Sequence, residues 1–194
     1  SGWFARGDVV QCRVTPSDGR EDGVPLTSAT VTIQNAPPEI TSLTVSPTTA
    51  TTDTVLTASV SGTDGDLDLL SYTFTWIVNG EPIEGSADTL DGGLHFDKGD
   101  EVGLSVVASD GLDSGPAVVA DTILVDNSPP SSPTVSITPS SPAAGVDSLV
   151  CTMDDPGSDP DLDPIVHTIV WTRDGEVFGA TTDTHTEGDT IPGH

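Results

Sequence analysis

Basic side chains are scarce: 5 Lys and Arg stand against 31 Asp and Glu, a formal net charge of −26. Such a chain repels phosphate backbones and anionic lipid, which disfavours nucleic-acid and membrane-surface binding. Aromatic residues make up only 4% of the sequence. Its apolar runs last a few residues, far short of the roughly 20 that cross a bilayer, so membrane insertion is not expected. No basic-plus-apolar leader opens the chain, as expected of a mature soluble piece. With 2 cysteines in 194 residues it is too long for a disulfide-stapled miniprotein, and at roughly 100–150 residues per domain it suits one large or two small domains. What is plentiful is Gly (20) and Pro (16), with Thr, Ser and Val recurring throughout. Thr and Val favour strands while Gly and Pro interrupt helices, so the composition predicts an all-β chain rich in turns and excludes a helical bundle.

The acidic excess repels itself unless divalent cations, high salt or a cationic partner offset it. Most of the acid is Asp, and it is clustered in Gly/Pro-rich stretches rather than spread evenly. Clustering of that kind points to Ca²⁺ loops rather than a salt-adapted surface.

The sequence repeats itself. NAPPEITSLTVSP (Asn35–Pro47) returns as NSPPSSPTVSITP (Asn127–Pro139), DTVLTASV (Asp53–Val60) as VDSLVCTM (Val146–Met153), and YTFTWIVNGEPI (Tyr72–Ile83) as HTIVWTRDGEVF (His167–Phe178). The back half of the module occurs in the opposite order: KGDEVGLSVVASDG (Lys98–Gly111) matches the earlier RGDVVQCRVTPSDG (Arg6–Gly19). Residues 1–36 therefore read as the last strands of a module, 37–126 as a complete module, and 127–194 as the front half of another. Joining His194 to Ser1 closes the seam, so the chain is expected to be one period of a tandem array. Its third part would be completed by residues 1–36 of the next unit.

Strands are expected near 41–46, 54–60, 72–78, 83–90, 101–108 and 117–125. Leu56, Ala58 and Val60 alternate, as do Val102, Leu104 and Val106, the period of two of a half-buried strand. About seven short strands in about 90 residues is the pattern of an immunoglobulin-like sandwich. The Pro linkers NAPP and NSPP, the Asp loops, the YxFxW strand and the GDxVxxxVxxSDG strand together resemble bacterial or archaeal extracellular Ig-like tandem repeats of the PKD/cadherin-like kind. That resemblance implies tandem Ig-like modules on a cell surface, stalk, adhesin or filament. Cys151 on the second strand, Trp171 on the third and Cys12 on the sixth also follow the order of the immunoglobulin inter-sheet disulfide packed on its core Trp. This implies a Cys12–Cys151 bridge between consecutive units in an oxidising compartment, with two unrelated free thiols as the alternative. In the complete module Ala58 and Leu104 take the two cysteine positions and Trp76 takes that of Trp171.

Metal-ligand candidates are Asp64, Asp66 and Asp68 in GTDGDLD, and Asp155, Asp159, Asp161 and Asp163 in DPGSDPDLDP. Asp110 and Asp18, in the SDG turns, would add oxygens if they lie at the same end of the sandwich. Ca²⁺ takes six to eight hard oxygens, and alternate carboxylates on a bent loop can converge on one ion; the alternative is a solvated acidic loop. Arg6-Gly7-Asp8 spells an integrin tripeptide, but Lys98-Gly99-Asp100 stands at the same point of the module, so the Gly-Asp is read as a turn. His95, His167, His185 and His194 lack zinc-ligand spacing, and His167 is expected to face solvent. No nucleophile elbow, P-loop or dinucleotide fingerprint occurs. Trp76 and Trp171 are expected in the core, leaving Trp3 as the one aromatic free to stack on a sugar. The sequence thus reads as a non-enzymatic structural repeat with no small-molecule substrate, joined to neighbouring copies head to tail or continued in a longer chain. The second reading is an accessory carbohydrate- or cell-binding module.

Overall fold

The computed structural model describes residues 3–85, 87–183 and 189–191. In chain order the first strands are Val9–Val10 (β1), Arg13–Val14 (β2), Leu26–Thr27 (β3), Val31–Thr32 (β4), Glu39–Ser46 (β5), Ala50–Thr51 (β6) and Val55–Thr63 (β7). Ser71–Val78 (β8), Glu81–Pro82 (β9), Thr89–Asp91 (β10), Glu101–Ser109 (β11), Val118–Val119 (β12) and Ile123–Asp126 (β13) follow, with one helical turn, Gly92–His95 (α1), after β10. Thr134–Thr138 (β14), Leu149–Asp155 (β15), His167–Arg173 (β16), Glu176–Asp183 (β17) and Asp189–Ile191 (β18) complete the series. The protein is all-β, divided into two compact units: residues 1–50, 55–91 and 100–124, and residues 51–54, 92–99 and 125–194.

The first unit contains a sandwich. One sheet runs β10-β7-β5, and the other carries β13-β11-β8-β9 with β12 also against β11. This is the strand order of an Ig-like sandwich, with the first, second and fifth strands in one layer and the third, sixth and seventh in the other. Its core follows from the alternation in the sequence: Val102, Leu104, Val106 and Ala108 of β11 are all at most 1% exposed. Leu56 and Ala58 of β7, Leu90 of β10 and Trp76 and Val78 of β8 are buried as well. Each large apolar side chain removed from water contributes about 1.5–3 kcal/mol. Trp76 keeps its polar atom satisfied, Nε1 donating to the Ala87 carbonyl at 3.1 Å.

Two expected strands come out differently. Among the described residues of 83–90 only 89 and 90 are strand, within β10. Pro82 has no N–H to extend the ladder, and Gly85 sits at φ +123°, outside strand geometry. The expected strand 117–125 is two pieces, because its pairing with β11 slips by one residue between Ser105–Val119 and Val102–Ile123. That extra residue bends the strand as a bulge does.

The segment 1–36 repeats this bulged pairing. Val9–Thr32 and Val10–Val31 join β1 to β4, and Arg13–Thr27 and Val14–Leu26 join β2 to β3. Moved forward 92 residues, these are the pairs Glu101–Leu124, Val102–Ile123, Ser105–Val119 and Val106–Val118. The register is shared but the burial is not: Val14 is 62% exposed and Val106 0%.

The second unit holds β14-β15-β18 and the hairpin β16-β17. Ile137 opposite Cys151 stands where Val45 opposite Ala58 stands in the sandwich, and Leu149 opposite Ile191 where Leu56 opposite Leu90 stands. Asp174-Gly175 turns the β16–β17 hairpin with both residues at positive φ, as Asn79-Gly80 turns β8–β9. Both dipeptides suit the type I′ turn, which needs two residues in that region. Met153 and Trp171 are buried.

Candidate functional site

Each unit carries an Asp loop wound the same way. In the first, Asp64 Oδ1 accepts hydrogen bonds from the backbone N–H groups of Asp66 (2.8 Å) and Asp68 (3.1 Å), and the loop passes through Leu67 at φ +66°. In the second, Asp159 Oδ1 accepts from the N–H groups of Asp161 (2.9 Å) and Asp163 (3.3 Å), with Leu162 at φ +60°. A carboxylate that binds the backbone two residues on is the reason Asp initiates such turns. The result is that Asp64, Asp66 and Asp68 bring one oxygen each within 4.8 Å of one another, and so do Asp159, Asp161 and Asp163.

Both loops are anchored to the proline linker that precedes their strands. Asp66 Oδ2 accepts from the Ala36 N–H at 2.9 Å, and Asp161 Oδ2 from the Ser128 N–H at 2.6 Å. The third Asp of each loop meets a cation: Arg6 pairs with Asp68, and Lys98 pairs with Asp163. The same cations donate to the linker asparagines, Arg6 to Asn35 Oδ1 at 2.6 Å and Lys98 to Asn127 Oδ1 at 3.1 Å. The hydrogen bond to Asp68 holds the Arg6 guanidinium above its ordinary pKa, and the one to Asp163 does the same for the Lys98 ammonium. Gly7 and Gly99, which follow those cations, donate to Ile33 and Val125 carbonyls, each at 2.9 Å.

The SDG turns lie differently with respect to the loops. Asp110 caps its own turn, Oδ1 accepting from the Leu112 and Asp113 N–H groups at 2.7 Å each. Its other oxygen accepts from Asn35 Nδ2 at 2.7 Å, and Asp113 accepts from the same nitrogen at 2.9 Å. Asp110 thus reaches the first Asp loop through Asn35 and Arg6 and lies outside the converging triad. Asp18 caps the Arg20 and Glu21 N–H groups, each at 2.9 Å. Asp155 accepts from the Gly157 N–H at 2.8 Å and lies outside the second triad.

The thiols of Cys12 and Cys151 are free, the first exposed and the second half-buried. His167 does not face solvent: it is half-buried with Nε2 2.8 Å from the Pro156 carbonyl, because the DPG turn folds back over the start of β16. His185 and His194 lie outside the described residues. Trp76 and Trp171 are 4% and 6% exposed. The cations and asparagines that tie loop to linker were not singled out from the sequence as loop partners, although Arg6 and Lys98 recur at the same module position.

Three carboxylates are held below the ordinary aspartate range of about 3.9: Asp161 first by the Thr52 hydroxyl, Asp110 first by Asn35, and Asp18 by the Glu21 and Arg20 N–H groups. A carboxylate with a depressed folded pKa stabilises the fold above its unfolded pKa, and that contribution disappears as pH falls through the folded value. Acidification also relieves the self-repulsion of the whole chain, so the contrast between variants is the cleaner measurement. Asp110→Asn is expected to melt below the wild type at pH 6–7, with the gap in Tm closing below about pH 4. A gap unchanged from pH 7 to pH 3 would show that the Asp110 charge contributes nothing.

No family model matches the chain, and no curated protein does. Among solved structures, the FN1–FN3 domains of chicken CNTN1 align over 96% of this chain and 66% of that chain, at 12% identity and a TM-score of 0.35. At that distance the likeness transfers nothing to this chain. The class, an all-β Ig-like sandwich, rests on the strand order of the first unit. Among the described residues no helix is long and apolar enough to cross a membrane.

Proposed function

We propose that this chain is a non-enzymatic structural repeat of an extracellular stalk, adhesin or filament, joined head to tail and stiffened by calcium. The observation that carries the reading is the contrast between residues 1–36 and the sandwich. Val10, Cys12 and Val14 occupy the strand positions of Val102, Leu104 and Val106, yet Cys12 and Val14 lie exposed where Leu104 and Val106 are buried. A strand with apolar residues on an open edge invites pairing, and a head-to-tail contact that does not close propagates as a filament. The partners are neighbouring copies, or the continuation of a longer repeat chain. Sedimentation velocity over a range of concentrations tests this: growing linear species are expected. A folded monomer at high concentration, with residues 1–36 protected from hydrogen exchange by 127–194 of the same chain, overturns it.

The Asp loops fit a hard cation. Asp64 Oδ2 is buried and accepts no hydrogen bond among the described residues, while two further carboxylates converge beside it. Asp64, Asp66 and Asp68 would hold one Ca²⁺ and Asp159, Asp161 and Asp163 another, with backbone carbonyls and water completing the six to eight oxygens. The bound ion would take over the charge that Arg6 and Lys98 offset, at the weak affinity of extracellular modules, about 10⁻⁴–10⁻³ M. Millimolar calcium is expected to raise Tm by mass action and a chelator to reverse the rise. Coincident melting curves in the two conditions would reduce the loops to solvated turns.

The alternative, an accessory carbohydrate-binding module, would use Trp3 and Phe4, which are 96% and 59% exposed. Phe4 stands at the module position of Phe96, which is 3% exposed, so its exposure belongs with the other uncovered apolar residues of segment 1–36 rather than with a sugar platform.

A further inference from the structure

Each Asp loop already holds a cation that belongs to the chain itself, at the same module position. Arg6 donates to both oxygens of Asp68 and, at 2.6 Å, to Asn35 Oδ1. Lys98 donates to Oδ2 of Asp163 and, at 3.1 Å, to Asn127 Oδ1. Both carboxylates are members of the converging triads. Asp68 and Asp163 are 25% and 44% exposed, so a dissolved ion has access to them. In the first loop the side-chain cation does not reach the whole triad: Asp64 Oδ2 is buried and accepts no hydrogen bond among the described residues. Three carboxylates thus face one guanidinium, and the innermost oxygen is left uncompensated.

Resting on the calcium reading, we infer that Arg6 and Lys98 are tethered competitors that set the ion selectivity of the two loops, keeping monovalent cations out and yielding to a divalent one. A side chain fixed beside its carboxylate competes at a high effective concentration. The guanidinium adds directed, charge-assisted hydrogen bonds that a sodium or potassium ion cannot make. A monovalent ion also brings no more charge than the side chain it displaces. Ca²⁺ brings twice that charge, and as a hard cation it gathers oxygens from all three carboxylates at once, Asp64 Oδ2 included. The two competitors are unequal. Arg6 takes both oxygens of Asp68, so an ion that uses Asp68 must break into the fork, whereas Lys98 takes only Oδ2 of Asp163. The first loop is therefore the more strongly guarded.

The test is a calorimetric titration of the full chain with calcium chloride at low ionic strength, comparing the wild type with Arg6→Gln, Arg6→Lys and Lys98→Gln. Arg6→Gln removes a unit charge a few ångströms from the ion and is expected to tighten one of the two binding steps about tenfold. Lys98→Gln is expected to tighten the other step by less, and Arg6→Lys, which keeps the charge, to stay close to the wild type. The advantage of Arg6→Gln should shrink as sodium chloride is added, since screening weakens the more highly charged loop most and sodium enters the place the guanidinium held.

Thermal melting of the same samples separates competition from a purely structural role. In chelator Arg6→Gln is expected to melt below the wild type, having lost the pair with Asp68. Millimolar calcium should close that gap, a rescue that an arginine acting only as a brace would not show. Lys98→Gln repeats the comparison on the second loop, whether or not Arg6→Gln folds. If the glutamine variants bind calcium no more tightly than the wild type and their Tm gap is the same with and without calcium, the competition is overturned and the calcium reading stands. If neither the wild type nor any variant binds calcium, both are overturned.

Discussion

Replacing Trp76 by alanine is expected to cost the sandwich about 3–5 kcal/mol, the range for a large buried aromatic removed from a packed core. Trp76 is 4% exposed, lies opposite Leu104 on β11 and has its indole N–H bonded to the Ala87 carbonyl. Truncation leaves a cavity between the two sheets and removes the indole's bond to Ala87. Surrounding side chains are poorly placed to collapse into the space, since Leu104, Val102 and Val106 are fixed on a strand paired along its length. Urea unfolding followed by circular dichroism measures the loss, with Trp3→Ala as the reference. Trp3 is 96% exposed, and its replacement is expected to change stability by less than about 0.5 kcal/mol. Equal effects at the two positions would mean that Trp76 does not anchor the core.

The second large effect is expected at Gly115, where a side chain has no room. A Cβ added there runs into the carbonyl oxygen of Pro38, and Pro38 is fully buried. Gly115 is also fixed from its own side, because its N–H donates to the Ala108 carbonyl at 2.9 Å. Backbone meets backbone, so neither partner can swing aside as a flexible side chain would. Gly115→Ala should therefore lie at or above the upper end of the roughly 1–3 kcal/mol typical of overpacking. Gly103→Ala is the control, since its nearest new neighbour would be Ile77 Cβ at 4.0 Å, an ordinary contact. A Tm for Gly115→Ala equal to that of Gly103→Ala would mean that the close approach of Gly115 to Pro38 in the linker is not needed for stability.

The parts of the fold legible in the sequence are those governed by short-range periodicity. Val102, Leu104 and Val106 alternate, and β11 buries that face. Asp-Gly and Asn-Gly announce turns because their backbone needs are local. The strand expected over 83–90 was misplaced by a local effect as well, since Pro82 and Gly85 outweigh the β-favouring residues around them. The anchoring of the Asp loops was not legible. Arg6 reaches across 62 residues to Asp68, and Lys98 across 65 to Asp163, and an isolated cation in a turn carries no mark of its distant partner. The convergence of Asp64, Asp66 and Asp68 was readable from their alternation on a bent loop. The place of Asp110 one side chain removed was not, because it depends on where Asn35 comes to rest. The repeat itself holds that information, since a cation stands at the same module position before each linker.

The two cations differ in a way that makes one junction addressable by chemistry. Arg6 binds both oxygens of Asp68 through its planar fork, and a guanidinium is inert to reagents that acylate amines. Lys98 is the only lysine in the chain, so an amine-directed dye or acetyl donor can mark its ε-nitrogen without touching any other side chain of that type. Its pairing with Asp163 keeps the nitrogen protonated, and acylation needs the free base. The rate of labelling at Lys98, mapped apart from that of the α-amine, thus follows how often the ε-ammonium leaves Asp163 and Asn127, while the Arg6 junction stays silent.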